Sequence, residues 1–212
     1  YVVRTEKRQA IDYNGKPLFN KRNTQKIDVI YDKAKHRKQQ NLYESVTNYV
    51  VTGFNKAQQN KNTSYGFVML LFQRMMSSST QAILDAMQKR ADRLSGERKE
   101  VSKENFINNI EEYGYEGQYE IDFEQKIFSL VEEAQANYDT ELSILQGLIR
   151  DAKDCLNSET DAKVEYLISK LSELKKKEQN PELKFLIFTE FTSTQFMLKK
   201  VLEEKGGYIC GA

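Results

Sequence analysis

Residues 64 to 77 are apolar on almost every side: Tyr65, Phe67, Val68, Met69, Leu70, Leu71, Phe72, Met75 and Met76 leave a helix no polar face to turn to water. Such a helix has to be surrounded, so the chain must supply amphipathic partners for it. They lie on both sides. Leu42, Val46, Tyr49, Val50, Gly53 and Ala57 recur at three- and four-residue steps within residues 34 to 60, and the polar run Asn60 to Ser64 ends that helix. Downstream, Ser77-Ser78-Ser79-Thr80 offers capping hydroxyls to a third helix over 80–95, whose Ile83, Ala86, Met87, Arg90 and Leu94 share a face and which Gly96 closes.

A longer stripe follows. Phe123, Ile127, Val131, Ala134, Tyr138, Leu142, Leu145, Ile149, Ala152 and Leu156 keep helical register over a length of roughly 50 Å at 1.5 Å per residue. Ser158-Glu159-Thr160-Asp161 has the form of a capping box and opens another helix carrying Val164, Leu167, Ile168, Leu171 and Leu174, so the pair reads as an antiparallel hairpin. Only two prolines and ten glycines interrupt these patterns, and 30% charged residues suit long solvated helices.

The ends read differently. Tyr1 to Val3 and Thr24 to Tyr31 are short β-branched runs, with Asn14-Gly15 as a turn signal between them. After Asn180-Pro181, Leu183 to Phe188 reads as a strand buried on both faces. Thr192-Ser193-Thr194-Gln195 then looks like a second capping box, and its helix ends at Gly206-Gly207 before Tyr208 starts another strand. The expected fold class is mainly α: a helical bundle and long hairpin, short N-terminal strands, and the truncated start of an α/β lobe. Its divisions are a basic strand and linker over 1–33, a helical core over 34–115, the hairpin over 116–179 and the α/β start over 180–212. Both termini look cut from something larger, because the chain begins without Met and its last residues begin a strand.

Charge is balanced overall at +1 but not along the chain. Residues 1 to 38 hold eleven Lys and Arg against four acids, a local +7 suited either to a solvated strand or to phosphate; residues 104 to 161 hold fifteen acids against three cations, a local −12 that repels nucleic acid. The two cysteines, Cys155 and Cys210, form no CxxC pair, which points to a reducing, cytoplasmic compartment without a disulfide scaffold. No apolar run reaches the roughly 18 to 20 residues a bilayer needs, so no membrane partner is expected. His36 is the single histidine and, among Lys33, Lys35, Arg37 and Lys38, reads as a surface residue. No Ser-His-Asp or Cys-His set, no HExxH and no glycine-rich phosphate loop is present; Gly15-Lys16-Pro17 lacks the upstream glycine and the magnesium-holding hydroxyl. No catalytic residue and no bound cofactor or metal is assigned to this stretch.

Lys184-Phe185-Leu186-Ile187-Phe188-Thr189-Glu190-Phe191-Thr192-Ser193-Thr194-Gln195 is similar to motif IV of superfamily 2 helicases, which forms the first strand and turn of their second RecA-like lobe. Asp161-Ala162-Lys163-Val164-Glu165-Tyr166-Leu167 resembles the D-x-K-x-x-x-L helix preceding that motif in the Snf-type DNA translocase branch. Val3-Arg4-Thr5-Glu6-Lys7 resembles the R-T-x-K segment leaving the first lobe, with Val3 where the family usually has a second arginine. Leu71 to Ser79 and Leu84 to Arg90 look like the helical segment of bacterial RapA-type (HepA-type) translocases.

The resemblance implies a parent enzyme that hydrolyses ATP with magnesium while moving along duplex DNA, and a segment joining its two motor lobes. The phosphate loop and acidic box would precede this segment and the arginine finger would follow it, so the segment alone is expected to be inactive. Carried over by position, Thr189, Thr192 and Thr194 are the candidates for hydroxyl contacts to nucleic-acid phosphate, and Arg4, Lys7 and Arg8 for backbone cations; the free N-terminus of the helix after motif IV could add its amides. The helical hairpin could meet a protein partner. The competing expectation is a non-enzymatic coiled-coil interaction module whose acidic face binds a basic protein.

Overall fold

A computed structural model describes residues 9–19, 24–95 and 138–211. Within them the chain is mainly helical, with α1 Arg37–Gln59, α2 Thr63–Ser78, α3 Thr80–Leu94, α4 Tyr138–Ser158, α5 Ala162–Lys177 and α6 Thr192–Glu204. The expected stretch from Phe123 to Ala134 lies outside the described residues, as do Tyr1 to Val3, Arg4, Lys7 and Arg8.

Two of the helices begin where a neighbouring side chain accepts from a free amide of the first turn. Asn62 caps α2, its side chain accepting from Tyr65 N at 2.9 Å, and Ser79 caps α3 through Ala82 N at 3.1 Å. The α1 face anticipated from spacing is buried in full: Leu42, Val46, Tyr49, Val50, Gly53 and Ala57 all face inward, together with Gln39. α1 lies on α2 so closely that a Cβ at Gly53 would sit 2.4 Å from Met69 Sδ. Val68, Met69, Phe72, Met75 and Met76 of α2 fill the centre, with Ile83 and Met87 of α3 beneath them. Burying a large apolar side chain contributes about 1.5–3 kcal/mol, so this layer dominates the fold. α2 is not enclosed all round, however. Phe67 and Leu70 remain 43% and 51% exposed, a stripe on its outer side.

The long hairpin is corrected by the packing. α4 sets Leu145, Leu148, Ile149, Ala152 and Cys155 into the same core as α1 to α3, lying on α3 and α1, while α5 turns away and packs on α6. The apolar stripe of α4 is taken up by α1 and α3, and the core therefore extends beyond residue 115.

The expected N-terminal strands do not appear among the described residues. The one pairing there is the isolated bridge Ile11–Pro17, closed around Asn14-Gly15 with Gly15 at φ +78° and Asp12 Oδ1 accepting from the amides of Asn14 and Lys16 at 2.8 Å each. Residues 24–31 form neither helix nor ladder, and neither do 184–188 and 208–211. A strand needs an edge to pair with, and none of these segments has a ladder partner in the described chain.

Candidate nucleic-acid interface

Local sequence places the motif IV-like residues at the start of α6, but not as a capping box. Phe191, not Thr192, is the N-cap of α6, and no side chain caps the first turn. The Phe191 ring is drawn into the bundle core and fixes where the helix starts, which leaves Thr192 inside the first turn and half-buried. Thr189 is also half-buried. Thr194 is 5% exposed, and its Oγ1 lies 2.8 Å from both Ser78 Oγ and Ser79 Oγ at the junction of α2 and α3. The three threonines are therefore close along the chain but unlike in access: Thr189 and Thr192 border solvent, whereas Thr194 is already committed to two serines.

Two grooves flank them. One, of about 630 Å³, runs between the C-terminal end of α2, α5 and the start of α6, floored by Val164, Leu167, Met197 and Leu198 and reached by Ile27 and Val29 of the 24–31 segment. Its cations are engaged. Arg74 pairs with Glu190, Lys163 Nζ donates to the carbonyl oxygens of Ser77 and, at 3.2 Å, Ser78, and Lys170 pairs with Glu173 at 2.9 Å. Desolvation pulls the Lys163 ammonium below its usual range, against the opposing influence of Asp161. A lysine at the last carbonyls of a helix also complements the negative end of the α2 dipole.

The second groove, of about 650 Å³, lies between residues 181–187, α6 and residues 207–211. Here Phe185 and Tyr208 meet edge to face at 6.4 Å, and Lys175 Nζ sits 4.5 Å over the Tyr208 ring. Leu186, Phe188 and Ile209 project outward, almost wholly exposed. Gly207 takes φ +65° to turn the chain out of α6, with Tyr208 N bonded to Leu202 O at 3.1 Å.

Behind the grooves lies a polar junction that spacing alone did not reveal. α1 has no cap from its own neighbour His36; instead Glu159, at the end of α4, accepts from Lys38 N at 2.9 Å and Gln39 N at 3.0 Å. Asp161 caps α5 through Lys163 N at 2.9 Å and accepts from Gln39 Nε2 at 2.7 Å, while Ala162 N donates to Gln39 Oε1 at 3.0 Å. Thr80 N of α3 also donates to Asp161 Oδ2 at 3.4 Å, so the Ser158–Asp161 turn serves three helices, α1, α3 and α5, rather than one capping box. His36 is buried rather than on the surface, because the turn closed by His36 N to Asp32 O folds its ring under the start of α1. Its Nδ1 accepts from Asp32 N at 3.1 Å, and Nε2 faces Glu165 at 3.3 Å.

A second buried polar set stands inside the bundle. Arg90 grips Glu141 with Nε at 3.0 Å and Nη2 at 3.2 Å, Tyr49 donates to the same carboxylate at 2.9 Å, and the guanidinium lies 5.8 Å over the Tyr65 ring. Burial, then Glu141, holds the Tyr49 hydroxyl far above the usual phenol range and pushes Tyr65 up to about 12, so Tyr49 stays a protonated donor to Glu141. This set joins all four core helices and opens onto neither groove. Arg90 was legible as part of the α3 face; Glu141 was not, because nothing local marks a carboxylate that will meet an arginine 51 positions away.

Among the described residues no group of three or more His, Cys, Asp or Glu could hold a metal ion, and no helix is long and apolar enough to cross a membrane. No family model matches the chain, nor does any curated protein or solved structure.

Proposed function

We propose that this chain is the segment joining the two motor lobes of an ATP-dependent, Snf-type DNA translocase of the RapA-like kind, in which residues 180–212 begin the second, RecA-like lobe. One observation supports this most: the motif IV-like sequence lies on an apolar segment outside any helix that leads through Thr189 into α6, and the chain returns as a second non-helical segment, with Phe185 against Tyr208. This is the order of a β-α-β unit, and the outward Leu186, Phe188 and Ile209 are the side chains that further strands of such a lobe would cover. Thr189, Thr192 and the uncapped amides of α6 sit at its mouth, where a nucleic-acid backbone could be positioned without being read for sequence. The parent would supply ATP, magnesium and the phosphate-gripping groups; this chain would supply the coupling.

The coiled-coil alternative draws less from the packing, since the apolar stripe of α4 is spent on α1 and α3 rather than offered outward.

The test is duplex-DNA binding by this chain, followed by fluorescence anisotropy across a salt series. Binding should be salt-sensitive, and replacing Arg4, Lys7 and Arg8 together with alanine should lower the log–log salt slope by about 2.7, at about 0.9 per phosphate contact. In the full gene product ATP hydrolysis should rise with duplex DNA, while this chain alone hydrolyses none. No binding, or a slope indifferent to the three substitutions, rejects the assignment of those cations.

A further inference from the structure

The tip that joins α1 to α2 has a surface unlike the rest of the chain. Residues 45 to 84 contain no Asp or Glu, and only Lys56, Lys61 and Arg74 are charged there, in a chain that is 30% charged. Arg74 is paired with Glu190 toward the other end of α2, which leaves the two lysines at the tip. The one acid of α1, Glu44, is bonded by Gln40 at 3.2 Å. In place of charge, the outer side of α1 carries amides: Asn48, Asn55 and Gln59 recur at helical spacing on one face, and Asn60 follows. Asn48, Asn55, Lys56, Gln59, Asn60 and Lys61 are all exposed, and none of these side chains has a partner among the described residues.

The tip is also held firmly. Asn62 N donates to Ala57 O at 2.8 Å and Lys61 N to Gln58 O at 3.2 Å, the paired bonds of a Schellman motif, so the backbone closes the end of α1 by itself. Asn62 then caps α2, and Gly66 lies against α1, where a Cβ would sit 3.5 Å from Ala57 Cβ. Lys61 takes φ +52° at the position where glycine is usual. Glycine would serve the turn with less strain; what the lysine adds is a cation on a fixed support. Lysines that supply charge, beside amides that both donate and accept, match the phosphate and sugar oxygens of a nucleic acid. An acidic protein would be drawn by the charge and would leave the amides unused.

We infer that the α1–α2 tip is a second nucleic-acid contact, in which Lys56 and Lys61 meet backbone phosphates and Asn55 and Gln59 hydrogen-bond beside them. This rests on the motor reading for its partner and adds a contact that the reading does not name. The length of α2, roughly 24 Å at 1.5 Å per residue, separates it from Thr194.

Fluorescence anisotropy of labelled duplex DNA with this chain, across a salt series, tests it. Lys56→Ala combined with Lys61→Ala should lower the log–log salt slope by about 1.8, at about 0.9 per phosphate contact. Lys61→Gly suits the left-handed turn, so it should keep the helical circular dichroism and still lower the slope by about 0.9. Asn55→Ala combined with Gln59→Ala should weaken binding about fivefold and leave the slope unchanged. Polyglutamate, which offers charge without phosphate, should compete far less well than unlabelled DNA. The inference is overturned if the chain binds no DNA, if the lysine variants keep the wild-type slope, if the amide pair is silent, or if polyglutamate competes as well as DNA, which would make the tip a surface for acidic proteins. The motor reading fails separately, on the absence of DNA-stimulated ATP hydrolysis by the full gene product.

Discussion

Arg90 and Glu141 show how much of this fold's specificity rests on pairs that cannot be split. The guanidinium is 3% exposed and the carboxylate 12%, and each has the other as its main partner. Removing one leaves a buried charge alone, so Arg90→Ala should lower unfolding free energy by about 3–5 kcal/mol in urea titration, whereas replacing both with apolar residues of similar volume should recover most of the loss. Glycines give a matched pair of outcomes. Gly147 has open space around its missing Cβ, so Gly147→Ala should stabilise α4 by about 0.5–1 kcal/mol; Gly53→Val meets the buried Met69 and should cost about 1–3 kcal/mol. Asp32 supplies a pH dependence. Amides of Ala34 and Lys35 donate to its Oδ1 at 2.8 and 3.1 Å, and these bonds hold its carboxyl below the usual range. A depressed folded-state value means that the turn's contribution is complete above the unfolded aspartate's value of about 4 and is lost as pH falls through the folded one. Ala34 and Lys35 amide shifts in an NMR titration should therefore move below about pH 4 and stay flat above it.

At the scale of elements, periodicity and capping chemistry carried the reading well where the partner is near in sequence. The α1 face, the Asn60–Ser64 break, the Ser79 cap and the Gly206-Gly207 stop are all local, and each could be read from a few neighbouring residues. The outward Phe67 and Leu70, the buried His36 and the Phe191 cap were not legible, because each depends on which helix arrives from elsewhere. The same holds for the candidate interface: Thr189, Thr192 and Thr194 look alike in a row of hydroxyl residues, and only the α2–α3 junction distinguishes the third. Glu159 is the sharpest case. Its carboxylate replaces a local cap, so Glu159→Ala should cost about 0.5–2 kcal/mol and fray the first turn of α1, seen as faster exchange at Lys38 and Gln39, with α6 unaffected.

Taken as a whole, the molecule carries two thiols that report on different events. Cys155 lies in the shared core, and burial, with Glu159 and Asp161, pushes it up to about 11; Cys210 sits in the half-exposed end, where burial raises its thiol as well. Thiolate is the reactive form, so Cys210 should label first with iodoacetamide at pH 8, and Cys155 only as fast as the bundle itself opens. Equal labelling rates would contradict the described core. A final consequence concerns how the chain is made. The amides that begin α1 wait for a carboxylate encoded 121 and 120 positions later, so α1 can be finished only once synthesis has passed Glu159. Until then a nascent α1 is frayed at its start, with the amides of Lys38 and Gln39 left to water.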